Sequence, residues 1–346
     1  MKKGRQFIVP LVFLILSIAG IQAAGLSLAY MGGEVYARIV RNGVMVLALL
    51  IPIMAGMGIN FAISIGAISA QVGLILALDF QVPGLAGLLF ALTVGLILSY
   101  FSGCMIAWVY NRAKGKEMIC GIVMSFLATN LYHLVFMVGY GTVIPVRNSQ
   151  LVLSKGVGLR NMLDTVMYKN LFDSVLTLHT VRGSYSMVPF IIIGVVAVFI
   201  AYVRRTPLGY RFRVVGESLD IAEKLGIDID ETRKKAIVLS TMMASLGHLL
   251  FIQNMGVVNV YTGHLNVNIF AAAALMAGGA TLKRATITQA FQGLILFHTL
   301  FIVSPMAGQN LFANAALGEY FRSFIAYGTI VFALMMSLKQ QEGELV

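Results

Sequence analysis

Charge is what this sequence has least of. Only 11% of its 346 residues are Asp, Glu, Lys or Arg, and 59% are apolar. A soluble domain carries about 25% charged residues and needs that polar surface to cover its core. The shortage excludes a soluble enzyme, a nucleic-acid-binding domain and a disordered chain. Cysteine is nearly absent as well. Cys104 and Cys120 both lie in apolar stretches, so neither a disulfide framework nor a paired-Cys metal site can be built. No G-x-x-x-x-G-K-[S/T] run occurs: Gly115-Lys116 is followed by Glu117, and Tyr110 stands where the first glycine belongs. The chain therefore has no phosphate-cradling loop of its own. H-E-x-x-H and G-x-S-x-G are missing too. His133, His179, His248, His264 and His298 are scattered without metal-ligand spacing. No catalytic residue and no metal ligand is predicted.

Long apolar runs dominate what is present. Met1-Lys2-Lys3-Gly4-Arg5 precedes an apolar run from Phe7 to about Tyr30. The positive start resembles a signal peptide, but the run exceeds an ordinary h-region and further apolar segments follow it to the C-terminus. It reads as a first transmembrane helix. At about 20 apolar residues per crossing, ten spans are predicted: 7–29, 43–60, 62–80, 85–110, 118–140, 189–203, 235–256, 268–282, 285–304 and 318–337. The expectation is one all-α polytopic domain over 1–346, with an external loop at 141–188 and an internal loop at 204–234. Glu34 and Arg38, at i and i+4 among Val35, Ile39 and Val40, read as a short interfacial helix over 34–41.

Orientation follows from the basic residues. If the N-terminus is inside, 17 of the 25 Lys and Arg fall on inner segments and 5 of the other 8 in the 141–188 loop. The positive-inside rule then puts both termini in the cytoplasm. Gly87, Ala91, Gly95, Ser99, Gly103 and Ala107 form a four-residue series in the fourth span, and Ala62, Gly66 and Ala70 a shorter one in the third. Such stripes let neighbouring backbones approach closely. Asp79, Glu117 and Glu319 fall at span ends, within reach of water, which leaves the spans without buried charge. Any solute crossing is then neutral or nearly so. The polar groups best placed along a path are Asn60, Ser64, Gln71, Asn130 and Gln253, with Gly56 and Gly58 loosening the backbone just before the first of them.

In the inner loop, Ser218 can cap a short helix that Gly226 ends. Ile221, Ala222 and Leu225 would share one face while Asp220, Glu223 and Lys224 stay wet. The surrounding stretch holds Arg205, Thr206, Gly209, Phe212, Arg213, Val215 and Gly216, then Ala222, Gly226 and Ile227. It resembles the cytoplasmic loop of permease subunits in ABC importers for simple sugars, nucleosides and branched-chain amino acids. Gly58-Ile59-Asn60, Lys116-Glu117-Met118-Ile119 with Ser125, and Ala274–Ala280 are similar to further elements of that family.

The resemblance implies a membrane-embedded importer subunit of the bacterial cytoplasmic membrane. It binds no cofactor itself, since ATP and Mg belong to partner ATPase subunits. A second permease (the same chain or a homologue) and an extracytoplasmic solute-binding protein complete the assembly, and nucleic acid has no part in it. Gly216, Asp220, Ile221, Ala222, Glu223, Leu225 and Gly226 would carry the ATPase coupling. A stand-alone facilitator or ion-coupled transporter is the alternative, with the loop a mere tether.

Overall fold

The computed structural model describes residues 8–173, 175–180 and 183–342. Helix α1 (Ile8–Ala24) ends at Gly25, whose positive φ of 63° turns the chain. Ser27 then caps α2 (Leu28–Ala48) by accepting the Tyr30 amide, and α3 (Leu50–Met54) continues it with only Leu49 between. Gly56 and Gly58, both at positive φ, break the chain before α4 (Ile63–Asp79). Next come α5 (Gly84–Arg112) and α6 (Glu117–Leu134), the latter finishing in a π-helical turn at Val135–Gly139.

The segment after α6 carries a 3₁₀ turn (Ser149–Leu151), β1 (Met162–Asp164), α7 (Val166–Asp173) and a hairpin of β2 (Thr177–Thr180) and β3 (Gly183–Ser186). Helix α8 (Val188–Val203) bends by 73° into α9 (Pro207–Glu217), which is followed by α10 (Leu219–Lys224) and α11 (Ile229–Met255). Strand β4 (Val257–Asn259) pairs antiparallel with β1, Met162 opposite Asn259. Helices α12 (Val267–Ala277), α13 (Ile287–Phe312) and α14 (Ala315–Glu342) complete the fold. The described residues are all-α apart from these two short two-stranded ribbons.

The small-residue stripe of α5 does what its spacing predicts. Gly87, Ala91, Gly95, Ser99, Gly103 and Ala107 are all buried, against α4 and α11. A Cβ on Gly95 would meet Ser245 Oγ at 2.9 Å, and one on Gly103 would meet the Val238 backbone at 3.0 Å. The α4 stripe works likewise: a Cβ on Gly66 would overlap the Thr241 carbonyl of α11. On its other side α5 exposes Leu89, Ile97, Phe101, Met105 and Trp108, an apolar surface suited to lipid.

The span pattern differs from the even series of ten. Five helices among the described residues are long and apolar enough to cross a membrane: Leu28–Met54, Gly84–Arg112, Glu117–Gly139, Ile229–Met255 and Ile287–Phe312. The bent α8–α9 pair adds a sixth if taken as one span. Ile8–Ala24, Ile63–Asp79 and Val267–Ala277 are shorter apolar helices. The expected 268–282 span is α12, an 11-residue helix that rises about 16 Å, roughly half the hydrocarbon thickness. The expected interfacial helix at 34–41 is instead part of α2, continuous with the apolar run that follows. Arg41 can sit inside this helix because its Nε donates to Asn254 Oδ1 of α11 at 2.7 Å.

Two acidic residues expected to face water are buried. Asp79 is 4% exposed and accepts the Arg147 and Asn148 amides, each at 3.0 Å. Glu117 pairs with Arg233 of α11, and both side chains are buried.

Candidate functional site

Two regions concentrate the features singled out in the sequence: the α9–α10 loop with the glycine break it touches, and the polar residues of α4 with their partners.

Thr206 caps α9 by accepting the Gly209 amide, with Pro207 preset for the first helical position. Ser218 Oγ then accepts the Ile221 amide at 3.3 Å and starts α10, which Gly226 ends at φ 69°. Phe212 and Val215 of α9 are buried, which anchors this corner to the bundle. Asp228 caps α11 immediately afterwards, accepting the Glu231 amide at 2.9 Å.

The expected sharing of one face by Ile221, Ala222 and Leu225 is divided. Ala222 is fully buried against its own chain, while Ile221 and Leu225 are 53% and 58% exposed. A six-residue helix holding one small residue inward presents the larger neighbours outward, and Asp220, Glu223, Lys224 and Gly226 are exposed beside them. The exposed surface of α10 is thus Ile221 and Leu225 with a charged rim, and Ala222 seats the helix on its own chain.

Gly216, at the end of α9, meets the chain break directly. A Cβ on Gly56 would lie 2.6 Å from Gly216 Cα. One on Gly216 would overlap the Met54 carbonyl and lie 2.9 Å from the Gly56 nitrogen. Only glycine at both places lets the two backbones touch, and Gly56 also holds a left-handed conformation. The loop and the break before Asn60 are therefore in rigid contact.

Beyond the break, the five residues expected along a path do not converge. Asn60 is buried and committed: its Oδ1 accepts the Ala62 amide and the Tyr110 hydroxyl, both at 3.0 Å, and its Nδ2 donates to Ser240 Oγ at 3.3 Å. Ser64 donates to Ser125 Oγ at 2.6 Å, and Ser125 in turn to the Phe61 carbonyl at 2.8 Å. These bonds tie α4 to α5, α6 and α11 and satisfy the backbone freed by the break. Asn130 projects from the exposed face of α6 and donates to its own helix at Phe126. Gln253 donates to the Tyr168 and Lys169 carbonyls of α7. Tyr168 bonds the Val82 carbonyl at 2.8 Å, and burial pushes its phenol above the ordinary value, so it remains a donor.

Gln71 is different. Its Oε1 meets His264 Nδ1 at 2.9 Å and its Nε2 the Asn259 carbonyl at 3.3 Å. The His264 ring lies 5.0 Å from that of Tyr132 and 5.6 Å from that of His133, and His133 Nε2 is 2.9 Å from the Tyr261 carbonyl. His264 and Tyr132 are buried, and His264 Nε2 and Tyr132 Oη have no hydrogen-bond partner. Buried polar atoms are nearly always paired, so unpaired ones mark a place for water or a ligand. Sequence reasoning missed this belt because Tyr132, His133 and His264 show no spacing relation to Gln71. Histidines inside an apolar chain were the available signal. No group of residues able to hold a metal ion occurs among the described residues. Nearer the chain surface, Gln81, Asn148, Gln150, Arg160 and Asp164 line a cavity of about 810 Å³ beside Tyr168.

Residues 34–338 match the family described as branched-chain amino acid transport system / permease component. Among curated proteins, the chain is similar to the autoinducer 2 import system permease protein LsrC of Yersinia pestis (strain Pestoides F), 25% identical over 231 residues, covering 66% of this chain and 56% of that protein. LsrC of Yersinia enterocolitica is 26% identical over 232 residues, or 66% and 55% of the two chains. The chain thus spans little more than half the length of these relatives.

Proposed function

Since this chain belongs to the branched-chain amino acid transport system permease family, we propose that it is the membrane-spanning subunit of an ATP-driven importer. ATP is hydrolysed on a separate subunit that docks on α10 through Ile221 and Leu225. The observation that carries the reading is the contact of Gly216 with Gly56. It joins the exposed docking corner to the break before Asn60, so motion imposed on α9 and α10 is delivered to α4. An ATPase subunit supplies the motion, a second permease the facing half of the path, and an extracytoplasmic binding protein the solute. This chain contributes no catalytic group.

The solute is small, polar and largely uncharged, of the simple sugar or nucleoside type. Gln71, His264 and Tyr132 offer donors and acceptors to hydroxyl groups, and the relatives are named for the import of autoinducer 2, a small solute. The loop at 204–234 and both termini lie in the cytoplasm of a bacterial cell, on the argument of the basic-residue asymmetry.

Ile221→Asp should abolish co-purification with the ATPase and transport, because docking would bury a charge without a partner, while the chain stays inserted and abundant. Unchanged ATPase association in that variant and in Leu225→Asp would refute docking on α10 and favour a stand-alone facilitator. For orientation, a single Cys at Asn148 in a chain lacking Cys104 and Cys120 should react with an impermeant thiol reagent from outside. One at Ser218 should react only once the inner membrane is opened, and the reverse pattern would invert the topology.

A further inference from the structure

Of the 25 basic residues, the charge asymmetry leaves three outside both the inner segments and the 141–188 loop: Arg38, Arg41 and Arg322. The fold brings them together. The guanidinium of Arg38 lies 5.3 Å and that of Arg322 4.0 Å from the centre of one ring, Phe301. Arg41 follows Arg38 by three residues on α2 and is held by Asn254. Two acids accompany them. Glu319 pairs with Arg322, and Glu34 lies one turn before Arg38. Three cations against two anions leave one uncompensated positive charge at membrane depth, where bare charge is expensive. Arg38 Nε is buried and finds no acceptor.

The cluster lies towards one end of the bundle. Asn310 Nδ2 donates to the Ala23 and Ala24 carbonyls at 3.0 and 3.1 Å, which brings the α1–α2 and α13–α14 turns side by side. Tyr30 and Tyr320 are exposed near those turns, as aromatic residues at a membrane interface are. Arg38 is eight residues, or about 12 Å along the helix, from Tyr30, and Arg322 only two residues from Tyr320. Arginines at that depth reach the headgroup level by extending their stems. Arg322 keeps 26% of its side chain exposed. Beside it α13 and α14 pack closely, and Phe297, Leu300, Phe301, Ser304 and Ile325 leave no space for a water-sized sphere.

We propose that Arg38, Arg41 and Arg322 bind the phosphate of an anionic phospholipid. One phosphodiester monoanion neutralises the cluster, and guanidinium groups match phosphate oxygens in geometry as well as charge. All three arginines stand on helices of the bundle within reach of the interface marked by Tyr30 and Tyr320, which favours a lipid headgroup over a free anion. The site shares no residue with the Gln71 belt and does not depend on the transport reading.

The test uses the full chain purified in detergent, titrated with phosphatidylglycerol, with phosphatidylcholine and with sodium phosphate at matched ionic strength. The melting temperature is followed, and retained lipid is counted by native mass spectrometry. Phosphatidylglycerol alone should raise the melting temperature and remain bound. Arg322→Gln and Arg38→Gln should weaken its apparent affinity about tenfold each, and Lys155→Gln, in the 141–188 segment, should leave it unchanged. If Arg38→Gln fails to fold, Arg322→Gln and the milder Arg322→Lys decide the matter by retained lipid. Equal shifts from the two lipids, or full retention of phosphatidylglycerol in the arginine variants, would overturn the site. An equal shift from sodium phosphate would overturn its assignment to lipid.

Discussion

Glu117→Ala should lower the stability of the purified chain by about 3–5 kcal/mol. Arg233 would keep its bonds to Asn111 Oδ1 and the Tyr110 carbonyl, but both are neutral, and its guanidinium, only 3% exposed, would stay charged without a counterion. Removing one member of a buried pair costs far more than the pair itself contributes. The double variant Glu117→Leu with Arg233→Met should therefore recover most of the loss. Thermal or denaturant unfolding in detergent measures both. A loss under about 1 kcal/mol in the single variant, the range of exposed pairs, would mean that water reaches the pair.

Gly216→Val should abolish transport while leaving the spans inserted. Its branched side chain would have to occupy the space of the Met54 carbonyl and the Gly56 nitrogen, and backbone cannot give way as a flexible side chain can. The end of α9 must withdraw, which severs the contact between the α9–α10 corner and the break. In a reconstituted complex the expected signature is ATP hydrolysis that no longer drives solute uptake. Gly226→Ala is the control: nothing lies within 4 Å of its added Cβ, and its φ of 69° costs only about 1–2 kcal/mol of local backbone strain. Coupled uptake surviving Gly216→Val would show that the contact transmits nothing.

How far the fold was legible depended on whether its cause was local. The α5 stripe was readable because helical packing repeats every four residues, and the α10 cap and stop because Ser218 and Gly226 act within their own turn. The burial of Glu117 was hidden, since its partner Arg233 lies 116 residues away and a carboxylate at the edge of an apolar run looks wet. The union of 34–41 with the following span was hidden for the same reason: Glu34, Arg38 and Arg41 interrupt the apolar pattern, and what admits them, Asn254 and Phe301, is remote in sequence. Ala222 was misassigned because a six-residue helix has too few positions to tell which side faces its own bundle. Of the five polar residues expected along a path, Asn60 and Ser64 proved to be occupied by interhelical bonds, Gln253 keeps one unpaired oxygen beside its bonds to α7, and Gln71 adjoins the unpaired atoms of His264 and Tyr132. Choosing among them required knowing which amides were already satisfied, and composition does not carry that.

The short α12 and the start of α13 have a mechanical consequence. A Cβ on Gly278 would overlap the Gln289 carbonyl, and one on Gly293 the Ala274 carbonyl, so the two backbones touch with no side chain between them. Sliding by one residue, about 1.5 Å, would drive an adjacent side chain into that notch. The pair is consequently stiff against shear and behaves as a single strut. A force entering at one edge of the molecule would not be dissipated in the strut. It would pass undiminished to the elements joined at its two ends.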